Sequence, residues 1–337
     1  MQVWQFYRTW WWLGAVIVGI AAGYCCWSPG KNVTDGRYDR FRNGIWIQHG
    51  WLGDDGWFAR TGRDPPLFRN AVRVRSLATT LDAHHITDVF PHLCPCLPDG
   101  RIPPVDDAQV ELFLDNIGNR RVIPWVGGVL GKHVNLKSAS WRTNFAASIR
   151  DLLSRHPRLS GIQINVEPLP SGNRDFLTLL DLVRDNLPRG SILSVAAYPP
   201  PTVWNPFPEI HWAQKYYGDV SRRCDQLAVM MYDTALISSK LYQNLMAGWT
   251  EDILRWASGP SVLLGVPAYD DSGVGYHHPR VENLENALLG VHAGLDRFVA
   301  VPSNYQGVAV YCEWEMDAAE WAYLRTHFVL GKPVGIR

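Results

Sequence analysis

The stretch GIQINVEPLP, residues 161–170, sets Ile162, Ile164 and Val166 in alternation with Gln163, Asn165 and Glu167, and then meets Pro168. Side chains along a β-strand point to opposite faces in turn. This segment therefore has one aliphatic face and one face that carries two amides and a terminal carboxylate. It reads as a buried strand that ends in an acid.

Working outward, seven more apolar runs bounded by turn residues resemble it. They are NGIWIQHGW (43–51), ITDVFPHL (86–93), RVIPWVGG (121–128), SILSVAAY (191–198), DQLAVMMYD (225–233), SVLLGVPAY (261–269) and GVAVYCEWE (307–315). Most are apolar nearly throughout, as parallel strands covered on both faces are. Helical spacing fills the gaps, at 66–84, 106–117, 141–156, 173–187, 240–257, 282–298 and 317–328, with a looser segment at 208–223. Eight alternations predict an α/β chain folded as a (β/α)8 TIM barrel over residues 40–332. An open doubly wound sheet more often carries a Gly-rich phosphate loop after its first strand, and HGWLGDDG (49–56) is not one.

The 337 residues are 47% hydrophobic and 19% charged, enough for one large core. Lys+Arg and Asp+Glu balance at 32 each, which removes the electrostatic case for nucleic acid. Sixteen Trp and thirteen Tyr offer flat faces for sugar rings, or simply core volume. Residues 10–27 (WWWLGAVIVGIAAGYCCW) hold no charge. At ~1.5 Å per residue that run approaches the thickness of a bilayer core. Residues 1–30 are thus expected to be a signal peptide or a transmembrane anchor, with Ala21-Ala22-Gly23 as a small-residue cleavage site. Lys31, Arg37, Arg40 and Arg42 follow the run and only Arg8 precedes it, against the positive-inside pattern of an exported anchored domain. His84, His85, His92, Cys94 and Cys96 cluster, but at none of the usual zinc spacings, so no metal and no cofactor are expected.

Barrel enzymes work at the C-terminal ends of their strands. There this chain carries a pattern that resembles glycoside hydrolase family 18, the chitinase family. NFAASIRDLLSRHPRLSGIQINVEPLPSGNRDFLTLLDLVRDNL (144–187) is similar to that family's central helix, fourth strand and following helix. VIPWVGG (122–128) is similar to its third strand, and LAVMMYD (227–233) matches its M-x-Y-D as Met230, Met231, Tyr232 and Asp233. LLGVPAYD (263–270) is similar to its seventh strand. GVAVYCEWE (307–315) is similar to the eighth, which supplies an aromatic floor under the reacting sugar. The family's D-x-x-D-x-D-x-E falls here on Ser160, Gln163, Asn165 and Glu167, so the acid remains and the three aspartates do not. INVE (164–167) also resembles the Asn-x-Glu strand of the family 85 endo-β-N-acetylglucosaminidases.

The resemblance implies a hydrolase of β-linked N-acetylhexosamine glycans in which the substrate's own acetamido oxygen attacks the anomeric carbon. Glu167 would be general acid/base. Asn165 would orient the acetamido group, with Tyr232 and Asp233 helping. Gln163, Trp125, Tyr198, Met230, Tyr311 and Trp314 are the expected substrate-binding residues. Asn165 can accept the acetamido N–H and donate to Glu167, but brings no full charge. The competing reading is a catalytically inactive chitinase-like carbohydrate-binding protein that keeps the groove. Glu167 and Asp233 as an ordinary carboxylate pair is a third. The expected partner is an oligo- or polysaccharide containing N-acetylhexosamine, met outside the cytoplasm by a monomer that touches membrane only through its N-terminal segment.

Overall fold

The computed structural model describes residues 2–64, 68–203, 206–271 and 273–329, with the side chains of residues 2–13 outside that description. Eight strands run in chain order. They are β1 (Asn43–Ile47), β2 (Ile86–Leu93), β3 in two pieces (Arg121–Val122 and Trp125–Val129), β4 (Gly161–Glu167), β5 (Ile192–Ala197), β6 (Gln226–Val229), β7 (Ser261–Pro267) and β8 (Tyr305–Tyr311). Each pairs in parallel with the next, and β8 returns to β1, so the sheet closes into the expected barrel. β3 is split because Pro124 has no N–H for the ladder. Its carbonyl still accepts from Gln163 N–H at 2.8 Å.

Helices wrap the outside. α1 (Gln2–Cys26) precedes the barrel, and α2 (Asp55–Thr61) and α3 (Ala71–Ala83) follow β1. Then come α4 (Asp107–Asn116), α5 (Ala139–Arg155), α6 (Arg174–Asn186), α7 (Gln214–Ser221), α8 (Ser239–Trp256), α9 (Leu284–Leu295) and α10 (Ala318–Leu324), the last continued by a π turn. Asn70, Asp106, Ser138, Asn173, Ser238, Asn283 and Asp317 cap their helices by accepting first-turn N–H groups. α7 starts on Ala213 with no side-chain cap, which suits its loose pattern in sequence. The helix expected at 66–84 starts at Ala71, and residues 66–67 lie outside the described set. α2 was not anticipated; Asp54 starts it by accepting from Trp57 N–H.

Ile162, Ile164 and Val166 join the large apolar layer between strands and helices. A second, smaller cluster built on Trp46, Phe90, Ile123, Trp125, Ala228, Leu263 and Ala309 fills the inside of the barrel. Val16, Ile17, Val18 and Ile20 on α1 are exposed, and the helix end rests on α8, where Lys240 Nζ donates to the carbonyls of Tyr24 and Cys25 at 2.8 Å. Among the described residues no helix is long and apolar enough to cross a membrane. The anchor and the signal peptide therefore rest on the sequence alone.

Candidate active site

The polar face of β4 enters the barrel at three levels. At the lowest, Gln163 is fully buried. Its oxygen accepts from Trp46 Nε1 at 2.7 Å and its amide donates to Ser194 Oγ at 3.1 Å. The chain of bonds continues from Ser194 to Gln226 at 2.8 Å, from Gln226 to Asp88 at 2.6 Å and from Gln306 to Asp88 at 2.9 Å. Arg121 closes it with a two-pronged bond to Asp88 at 2.6 and 2.7 Å. Gln163 therefore belongs to the barrel floor, with both ends of its amide committed, and lies below the pocket wall where a substrate contact was expected.

One level up, Asn165 donates its amide N–H to Glu167 Oε1. Its Oδ1 is buried and has no hydrogen-bond partner. Asn165 stands opposite Gly127 of β3, which has φ of 137°. A Cβ at Gly127 would sit 1.7 Å from the Asn165 carbonyl oxygen. Only glycine allows β3 to close on β4 at the height of the amide. The Gly-Gly of the third strand thus has a steric reason that bears on the site.

Glu167 ends β4 at the mouth. Asn165, Glu167, Trp46, Trp125, Met230, Tyr232, Asp233 and Tyr311 line a pocket of about 160 Å³, together with Tyr269, Asp271 and Tyr276. The Glu167 side chain meets water at the pocket opening but is walled by protein on its other sides. That burial raises its pKa; the Asn165 N–H pulls it down, and the charge of Asp233 pushes it up, leaving a net rise. Glu167 lacks the strand aspartates, and its rise comes from enclosure and from Asp233 instead.

Tyr232 and Asp233 lie beyond the last paired residue of β6. Asp233 takes φ of 63°, a left-handed turn that is rare for a residue with a Cβ. Tyr232 stacks on Tyr311 with centroids 5.3 Å apart and meets Tyr269 edge-on at 5.8 Å. Burial, then the charges of Tyr311, Glu167 and Asp233, hold its hydroxyl well above the usual tyrosine range, so it is a donor. Asp233 accepts from Tyr269 Oη and lies 3.2 Å from His277 Nδ1.

Of the expected residues, the fold brings Glu167, Asn165, Tyr232, Asp233, Trp125, Met230 and Tyr311 to one pocket. Trp314 packs edge-on against Tyr311 at 5.7 Å without lining it. Tyr198 is buried behind the wall against Trp212. Its hydroxyl is raised by burial and then by the charges of Glu167 and Asp233. Trp46, Asp271 and Tyr276 also line the pocket; the last two come from a loop whose sequence carries no strand or helix period. His277, in the Gly-rich segment after β7, is 1% exposed. The cluster of histidines and cysteines is dispersed. His84 bonds the carbonyls of Thr80 and Trp321, His85 pairs with Asp39, and Cys94 and Cys96 are buried free thiols.

A wider groove of about 1020 Å³ runs on the far side of Tyr269, past Asp270, Arg280, Glu315 and Glu320. It shares only Tyr269 with the small pocket. Glu167 and its amide neighbour line the smaller of the two.

No family model matches the chain, and no curated protein matches it. Solved structures match it in fold. The chitinase from Chromobacterium violaceum is 17% identical with a TM-score of 0.53, over 84% of this chain and 98% of that one. The spore cortex-lytic enzyme SleL of Bacillus cereus is 12% identical with a TM-score of 0.52, over 85% and 75%. The class V chitinase from Pseudomonas fluorescens is 13% identical with a TM-score of 0.52, over 84% and 99%. The chain thus shares the (β/α)8 barrel of these chitinases and of SleL at low identity. The likeness of its Asn-x-Glu pair to family 85 rests on the sequence alone.

Proposed function

We propose that this protein is a retaining hydrolase of β-linked N-acetylhexosamine glycans that uses the substrate's acetamido group as nucleophile. One observation carries the reading. Asn165 is tied to Glu167 through its N–H and presents an unpartnered Oδ1 beside the carboxyl that would protonate the leaving oxygen. A buried acceptor without a donor is costly, at roughly 1–3 kcal/mol, and an acetamido N–H supplies the missing donor. Tyr232 would donate to the acetamido oxygen and hold it under the anomeric carbon. Tyr311, Trp125 and Trp46 would form the apolar seat for the ring.

The cycle uses one proton. Glu167 gives it to the glycosidic oxygen as the acetamido oxygen bonds to the anomeric carbon. The C1–O bond to the leaving sugar breaks, the acetamido nitrogen keeps its hydrogen as an oxazolinium ion, and Glu167 as carboxylate then takes a proton from the water that attacks C1, which restores both the acid and the acetamido group. As a neutral acceptor of the acetamido N–H, an asparagine stabilises the positive oxazolinium less than an aspartate does. The difference is ~2–3 kcal/mol, or about two decades in rate. Slow turnover is therefore expected.

The competing reading, a binding protein without chemistry, predicts capture of the same oligosaccharides and no product. The deciding experiment incubates the full chain with N-acetylglucosamine oligosaccharides and follows products by NMR. Release of the β-anomer first, with no cleavage of matched glucose oligosaccharides that lack the acetamido group, is the expected result. Equal cleavage of both sets would point to Glu167 and Asp233 as an ordinary carboxylate pair and end this proposal. Export is part of the same reading, since such polymers lie outside the cytoplasm; cell fractionation checks it.

A further inference from the structure

His277 packs under the loop that follows β7, and its ring is stacked on Tyr269 with centroids 4.1 Å apart. Its Nε2 faces the carbonyl oxygen of Tyr269 at 3.2 Å. A carbonyl only accepts, so Nε2 carries a hydrogen. Nδ1 then points toward Asp233 at 3.2 Å and Glu282 at 3.9 Å. A neutral ring would aim a lone pair at two carboxylates. The titratable neighbours are Asp233 after β6, Tyr269 after β7, Tyr242 on α8 and Glu282 ahead of α9, with Glu167 beyond Asp233. Among the described residues no lysine or arginine pairs with either carboxylate. Glu282 is fully buried, its Oε2 accepting from Thr234 N–H at 2.9 Å and its Oε1 unpartnered. A second proton on the imidazole would give this corner its counter-charge.

We propose that His277 is a positioning residue of the site, held as an imidazolium between Asp233 and Glu282 so that Asp233 stays fixed beside the acid Glu167. This rests on the hydrolase reading above. Burial disfavours the charged ring, but the close approach of Asp233 and the charges of Glu282 and Asp233 outweigh it, so His277 is raised overall. Burial likewise lifts Glu282 to about 7, with His277 opposing. Tyr269 links the two halves, since its ring covers His277 while its hydroxyl donates to Asp233. Without the imidazolium, Asp233 and Glu282 would share one corner with no counter-charge. His277 opposes the rise of Glu282, so without it Glu282 would keep its proton to higher pH.

Two measurements test it. In ¹⁵N-labelled wild type, both ring nitrogens of His277 should be protonated at pH 7; a neutral ring there overturns the inference, whatever the turnover. In kinetics, His277→Gln should lower kcat about ten-fold with KM within two-fold. It should also move the acid limb of the pH profile up by about one unit. The double variant His277→Gln/Glu282→Gln should recover part of that shift, because one like charge is gone. A His277→Gln enzyme with unaltered pH limbs overturns the proposal. So does a stoichiometric divalent metal in the isolated protein that disappears in His277→Gln, since the cation would then be the metal. Folded wild type with no turnover on any N-acetylglucosamine oligosaccharide counts against the hydrolase reading instead, and the ring-nitrogen measurement still stands.

Discussion

Gln163 and Asn165 are the same kind of residue on the same face of the same strand, two positions apart, and they live in opposite chemical worlds. Around Gln163 the barrel floor is closed: every polar group of its amide has a partner, and the bonds run on through Ser194, Gln226 and Asp88 to Arg121. Around Asn165 the mouth is open: one end of the amide holds Glu167 and the other faces a pocket with nothing on it. A satisfied polar network rigidifies a core, and an unsatisfied one inside a pocket is a place for a ligand. Alternation along the strand puts both amides indoors. Only their height in the barrel separates structure from chemistry.

The sharpest way to break that contrast is at its upper end. Glu167→Gln should reduce turnover by roughly 10²–10⁴-fold, the usual loss for a general acid, while oligosaccharide binding measured by calorimetry stays within a few-fold. Unchanged turnover would remove the acid from the mechanism. The floor should answer to a different assay. Asp88→Ala strips an acceptor from the buried amides of Gln226 and Gln306, each worth roughly 1–3 kcal/mol, so denaturant unfolding should show a loss of about 3 kcal/mol. The kcat of the protein still folded should move by less than two-fold. A floor substitution that kills turnover without touching stability would collapse the distinction.

Next in size, Asn165→Ala should cost about 10²-fold in kcat, because a neutral hydrogen-bonded orienting group and the partner of Glu167 go together. Asn165→Asp separates those two roles. Its carboxylate adds a like charge beside an acid already raised by burial, so the alkaline limb of the kcat/KM profile should move upward. A downward shift would mean that Glu167 is not the group titrating there.

The smallest effect is on stability. Glu282 is lifted to about 7 from an ordinary 4.5, and His277 is also raised, so the folded protein holds more protons than the unfolded chain across this range. Stability from these groups is full below pH 4.5 and is lost as pH rises past 7. The melting temperature should therefore decline from pH 5 to pH 8 more steeply in wild type than in His277→Gln/Glu282→Gln. Parallel curves would show that the pair adds nothing.

Much of the scaffold was legible because it follows from periods. Apolar runs with turn residues between them set the number and order of the strands, and Ile86–Leu93 was found to the residue. Strand ends were read too long where the chain leaves the sheet to serve the pocket, as at Met230–Asp233 and after Tyr311. There apolar character continues although pairing stops. The pair Asn165–Glu167 was legible because two residues on one strand face share a direction whatever surrounds them. Asp271, Tyr276 and His277 were not, since a loop has no period and its side chains are aimed by what they meet.

By itself, then, the sequence determined a closed parallel barrel, an acid at the end of its fourth strand and an amide two residues below it. These are local consequences of alternation and burial, and they need no knowledge of distant partners. The tertiary structure alone decided that Gln163 is committed to the floor, that Asn165 keeps a free oxygen and that His277 sits against Asp233 and Glu282. Those facts depend on which side chains meet across loops and strands far apart in the chain, where packing and charge, rather than periodicity, choose the partner.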